Sequence, residues 1–206
     1  MKNLKESYPK ILLILYLVFW VWMAISPKYR SVWVDENILP IIFIAILIIT
    51  YRKFKFSNTS YSLIFIFMIL HAIGGHYSYT DVPLFNFIKE NYGLIRNYYD
   101  RLVHFLFGVL FFLPVYEILT KVFKVPKGKV ALLVTLIIMI GLKESFELIE
   151  YGYTIVRNNS LTITNYLGEQ GDVFDSIKDV TVGTVGAMIS MFFIFVKEWF
   201  FDSQDL

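Results

Sequence analysis

Residues 130–150 read VALLVTLIIMIGLKESFELIE. The first thirteen positions hold no charge, and then Lys143, Glu144, Glu147 and Glu150 follow in the last third. A run this long is too long for an ordinary strand, and it lacks the ten-residue alternation of an outer-membrane barrel strand. It reads as a helix that crosses a bilayer with its charges at one end. On insertion scales a charge at the centre of such a helix costs roughly 2.5–3.5 kcal/mol, and less near the interface. Three glutamates in one span therefore ask for partners.

Five further apolar stretches accompany it, at about 11–25, 34–51, 61–73, 102–119 and 173–201. Several are shorter than the roughly 20 residues a bilayer needs, so flanking residues or tilt must complete them. The chain has 206 residues, of which 57% are hydrophobic, 18% aromatic and only 17% charged, with mean hydropathy +0.60. Soluble domains run at about 45–50% apolar and about 25% charged, so the composition argues against a water-soluble enzyme. Disordered chains are poor in aromatics and rich in charge, which this one is not. A net charge of +2 is too small to point to nucleic acid. The absence of cysteine excludes disulfides, thiolate metal sites and cysteine nucleophiles. The expectation is an all-α integral membrane protein, a single domain over 1–206 built as a bundle of about six transmembrane helices.

The first stretch follows a basic start, as in a signal peptide, but no small-residue cleavage site follows it, so it reads as a retained helix. Alternate connections carry eleven Lys and Arg on one side and six on the other. By the positive-inside rule this predicts a multi-pass protein of the bacterial plasma membrane with both termini in the cytoplasm. The outer connection between the third and fourth spans is dense in aromatics. Thr80-Asp81-Val82-Pro83 reads as a helix start with proline in its first turn. Leu84, Phe87 and Ile88 can then share a face, giving a short interfacial helix that serves as an aromatic anchor or a substrate lid. Gly168, Gln170 and Gly171 read as a turn before the last span. Asn158-Asn159-Ser160 matches a glycosylation acceptor by chance.

Four polar clusters fall at the same, outer face under this topology. His71 and His76 flank Gly74-Gly75, Asp100 and His104 open the fourth span, Glu144, Glu147 and Glu150 close the fifth, and Asp172, Asp175 and Asp179 open the sixth. Asp100 and His104 are four apart and share a helical face, as do Glu144 and Glu147 at three apart. His71 and His76 lie about 140° apart on a straight helix and converge only if the two glycines turn the chain. Imidazole and carboxylate without thiolate suit Zn²⁺, Mn²⁺, Fe²⁺ or Mg²⁺. The candidate ligands are His71, His76, Asp100, His104 and Asp175, and the candidate acid–base residues are Glu144, Glu147 and Asp172. A metal could lower the pKa of bound water and supply a nucleophile, which suits hydrolysis or group transfer on an envelope lipid or lipid-linked substrate. Two other readings stand beside this one. The carboxylates could relay protons in a carrier, or they could form an internal ion-pair network, with Lys143 pairing to Glu147 at i+4. Gly183, Gly186 and Ala187 form a small-residue face for close helix packing. Substrate, partner and oligomeric state are not read from the sequence beyond the bilayer itself.

The segments His71–Tyr79, Asn97–Phe105, Glu144–Glu150 and Gly171–Asp175, taken together, resemble the YjdF-like family of bacterial inner-membrane proteins over about residues 61–195. That resemblance implies a multi-span fold and no particular reaction. A fainter likeness links Asp100–Phe105, Glu144, Glu147 and the Asp172–Asp175–Asp179 run with its glycines to the VanZ-like envelope proteins. This chain departs from the VanZ-like pattern by a Glu in place of a Gln, an Asp where an Asn is common, and the added His71/His76 segment.

Overall fold

A computed structural model of the chain describes residues 2–157 and 169–202. The described residues form helices joined by turns, with no strand among them. The helices are α1 (Lys2–Met23), α2 (Arg30–Glu36), α3 (Ile38–Thr50), α4 (Asn58–Tyr77), α5 (Pro83–Tyr92), α6 (Tyr99–Glu117), α7 (Lys129–Arg157) and α8 (Asp175–Lys197). Glu169–Gly171 forms a short 3₁₀ turn. Asn158-Asn159-Ser160 and Gly168 lie outside the described residues.

Four segments are long and apolar enough to cross a membrane, namely Arg30–Thr50, Asn58–Tyr77, Tyr99–Val122 and Asp175–Phe200, and Ser7–Met23 is a shorter apolar helix. α7 is 29 residues long, with Lys143 and Glu147 buried within it. The surface is apolar along these helices: Ile14, Val18, Ile49, Ile137 and Phe193 are each 60% or more exposed. Water does not tolerate so much contiguous apolar surface, whereas lipid does. The chain is an all-α integral membrane protein.

The chain divides into two compact units. The first holds the described residues up to Val103 together with Glu169–Gly171. In it α1 packs along α4. Tyr8 and Ser62 share a 2.7 Å hydrogen bond at one end, and His76 Nδ1 donates to the Met23 carbonyl at 2.8 Å at the other, so the two helices run parallel. Local chemistry sets the boundaries. Ser57 caps α4 by accepting from the Ser60 amide, and Ser78 ends it in the left-handed region at φ 56°. Pro83 opens α5, and Gly93, at φ 62°, closes it, as helix-terminal preferences dictate. Leu84 and Phe87 of α5 are each 63% exposed, which suits a helix lying in the interface.

The second unit holds the remaining described residues, from His104 onward. There α7 packs along α8, over a core of Phe112, Tyr116, Leu119, Ala131, Leu132, Met139 and Ala187. α6 and α8 approach to backbone contact: a Cβ on Gly108 would collide with the Gly183 carbonyl, and one on Gly186 with the Phe105 carbonyl. Ser190 Oγ donates to the Val109 carbonyl at 2.6 Å across the same seam. The small-residue face expected of Gly183, Gly186 and Ala187 packs against α6.

Candidate functional site

The start of α6 is fixed by one fully buried side chain, Asn97. Its Oδ1 accepts from the Tyr99 amide at 3.0 Å, which caps the helix. Its Nδ2 donates to the Val82 carbonyl at 3.2 Å and to Asn86 Oδ1 at 2.8 Å. Its backbone N–H donates to Gln170 Oε1 at 2.8 Å, and Gln170 Nε2 returns a bond to its carbonyl at 3.0 Å. Gln170 reaches this position with a left-handed backbone, φ 55°. By sequence Gln170 is a turn residue and Asn97 only part of a motif. The turn is there, and its side chain is a clamp on the loop that launches α6.

One turn into α6 the second unit begins, and with it the polar cluster. His104, Lys143, Glu147, Asp175 and Asp179 are all buried, between 3% and 9% exposed. Lys143 Nζ donates to Glu147 Oε1 at 2.5 Å, the i+4 pair that the spacing predicts. His104 Nδ1 stands 3.7 Å from Glu147 Oε1 and 3.5 Å from Asp179 Oδ1. The edge of Phe146 borders the group, its ring centroid 6.2 Å from that of His104 and 5.1 Å from Lys143 Nζ. Asp175 and Asp179 belong to the buried stripe of α8 that continues as Gly183, Gly186 and Ala187. Asp100 is buried at the start of α6, in the first unit.

The charges explain the arrangement. Lys143 offsets Glu147, which leaves the Asp179 carboxylate beside His104. An N–H···O hydrogen bond closes to about 2.7–3.2 Å, and both His104 distances are wider. Two ligand atoms each about 2.1 Å from a tetrahedral metal stand about 3.4 Å apart, close to what His104 and Asp179 show.

The other candidates lie elsewhere. Glu144 is exposed although Glu147, three residues on, is buried. Asp172 pairs with Lys178 at 2.7 and 2.8 Å near the surface and accepts from the Phe174 amide at 3.2 Å, a local turn just ahead of α8. His71 and His76 lie in the first unit, and α4 runs straight through Gly74-Gly75 without the turn that would make them converge. His71 Nε2 lies 3.0 Å from the Glu36 carbonyl, which can only accept, and Tyr79 Oη lies 2.5 Å from Nδ1. Nε2 must therefore carry the proton, and the tyrosine donates to Nδ1. Both ring nitrogens of His71 are committed. Gly74 makes room for this, because a Cβ there would run into the Tyr79 ring. Asp179, part of the acidic stripe in the sequence and not among the candidate ligands, stands closer to His104 Nδ1 than Glu147 does, at 3.5 Å against 3.7 Å.

Comparison with known proteins is informative about kinship. The profile of a family described as "Predicted membrane protein (DUF2238)" matches residues 8–198. The chain is also 29% identical over 174 residues to the "Inner membrane protein YjdF" of Escherichia coli (strain K12), an alignment covering 84% of this chain and 82% of that protein. No solved structure matches.

Proposed function

The chain belongs to the DUF2238 family of membrane proteins, and on that footing we propose that it is a multi-pass protein of a bacterial inner membrane whose working centre is the buried group His104, Glu147 and Asp179. The reading is that this group, joined by Asp175 one turn away on α8, holds a divalent cation, Zn²⁺, Mn²⁺, Fe²⁺ or Mg²⁺. The basic bias of the alternate loops supports placing this end of the helices at the outer face, with both termini inside. A cation there supplies Lewis acidity and an activated water, and the headgroup depth suits hydrolysis or group transfer on an envelope lipid. Glu144, exposed on α7, and Asp172, just ahead of α8, are the acid–base candidates for a substrate that approaches from the membrane, with the buried Glu147. His71 and His76 join this scheme only as supports of the loop frame. The fainter VanZ-like likeness supports the same region, because its Asp100–Phe105 segment is the turn of α6 that carries His104.

The observation that carries the proposal is the spacing of 3.5 and 3.7 Å from one histidine nitrogen to two buried carboxylates. The test is elemental analysis of the purified, detergent-solubilised protein after incubation with each cation. About one equivalent in the native protein, lost in Asp179→Asn and His104→Ala variants that keep their unfolding temperature, is the expected result. Failure of the native protein to retain any of the four overturns the metal reading. A second reading has its own support, since Lys143, Glu147, His104 and Asp179 form a row of neighbouring buried polar groups, the kind of group that relays protons in carriers. Uptake driven by a pH gradient in proteoliposomes, abolished by Glu147→Gln, favours it.

A further inference from the structure

The first unit contains a cleft between α1, α3 and α4 with a volume of about 240 Å³. Its walls are Leu12, Leu13, Ile44, Leu47, Ile64 and Phe65. Tyr16 and Met68 line its deep part, and Lys10, Tyr51 and Tyr61 line the other end. Lys10 to Tyr16 on α1 and Tyr61 to Met68 on α4 are parallel stretches, each about 10 Å long at 1.5 Å per residue. The cleft is therefore a slot along the helix axes, apolar for its length and polar at one mouth.

That mouth is basic. Lys10 is exposed on its rim. Lys55 Nζ lies 5.1 Å over the Tyr51 ring, and Arg52 and Lys53 directly follow Tyr51, both exposed. Among the described side chains, Asp35 and Glu36 precede α3 and Asp81 follows α4, at the far ends of these helices. No carboxylate among the first unit's described side chains stands at the mouth. A slot with apolar walls and a cationic, tyrosine-edged mouth matches a molecule with a hydrocarbon chain and an anionic head. In a membrane protein the molecule of that chemistry at hand is a phospholipid, and basic juxtamembrane clusters attract the anionic ones.

We propose that this cleft binds one acyl chain of an anionic phospholipid, with its phosphate held by Lys10 and Lys55. The site is separate in sequence and chemistry from the His104 group and does not depend on what that group does. The lipid occupies the slot as a resident ligand, and its head ties the start of α1 to the α3–α4 connection.

The experiment reconstitutes the full chain into vesicles of equal phosphatidylglycerol and phosphatidylcholine, extracts it in mild detergent, and counts retained lipid by native mass spectrometry. The expected result is phosphatidylglycerol in excess over phosphatidylcholine by about tenfold or more, the order that two lysines near an anionic surface give. Lys10→Gln/Lys55→Gln should abolish the preference, and Leu13→Trp, which fills the slot, should abolish retention. Ile44→Phe replaces Leu13→Trp if that variant fails to fold. Equal retention of the two lipids by the native protein overturns the proposal, as does a preference unchanged by the lysine substitutions. A slot-filling variant that folds and still retains phosphatidylglycerol overturns it as well.

Discussion

Replacing Gly108 by alanine tests the α6–α8 contact on which the polar group depends. The new Cβ would stand 2.6 Å from the Ala187 amide nitrogen and would collide with the Gly183 carbonyl oxygen. Ordinary van der Waals contact begins near 3.4 Å, so the helices must part by about 0.8 Å even to relieve the nitrogen contact. Both opposing atoms are backbone and cannot rotate aside. Overpacking of this kind costs typically 1–3 kcal/mol, and the rigid partners place Gly108→Ala near the upper end. For a chain of this length, each 1 kcal/mol moves the midpoint by about 2–4 °C, so the loss should be about 6–12 °C. Gly141→Ala in α7 is the internal control. Nothing lies within 4 Å of its Cβ, and alanine gains roughly 1 kcal/mol of helix propensity over glycine. Thermal unfolding of both variants in one detergent, followed by tryptophan fluorescence, gives the comparison. The reasoning is refuted if Gly108→Ala unfolds at or above the temperature of Gly141→Ala.

Two further predictions use the same assay. Lys143→Met should destabilise by about 3–5 kcal/mol, because it leaves the Glu147 carboxylate buried without its ammonium, and Lys143→Met/Glu147→Leu should recover most of that loss; equal stability of the single and double variants would show that the pair carries no such burden. Asn97→Ala should cost about 1–2 kcal/mol for the lost cap alone, and combining it with Gln170→Ala should cost less than the sum of the two, since each side chain serves the same junction; strict additivity would separate them.

The helices were legible because their apolar runs are long and their ends carry recognisable residues. Ser57, Pro83 and Gly93 sit where capping and turn chemistry put them, and Lys143 meets Glu147 because i+4 geometry requires no knowledge of the rest of the fold. Facing direction was far less legible. In a soluble helix the polar side marks the outside, but here lipid makes the outside apolar too, so the pattern around α7 does not say which way a carboxylate turns. Glu144 and Glu147 differ by only about 60° around the helix, yet one is exposed and the other buried. The surroundings of the histidines were hidden for a related reason. Their clustering in sequence suggested shared ligation, while His71 and His76 each serve a backbone carbonyl left over at a neighbouring helix end, a demand invisible until those ends are placed.

The glycines of α8 and the charges of α8 are one feature. A Cβ on Gly183 would stand 3.2 Å from the His104 carbonyl and 3.5 Å from Lys143 Cγ, so Gly183 lies between the two residues that flank the buried carboxylates. It follows Asp179 by one turn on the same stripe. Any larger side chain there pushes α6 and the Lys143 stem away from α8, and the 3.5 Å between His104 and Asp179 would widen with them. In a membrane, where lipid removes the hydrophobic drive for helices to associate, close approach at small residues supplies much of the packing energy. That packing brings buried charges within reach of one another and so offsets their burial. The stripe is therefore a condition of the polar group's existence, and a change at Gly183 should register at His104 before it registers in the apolar core.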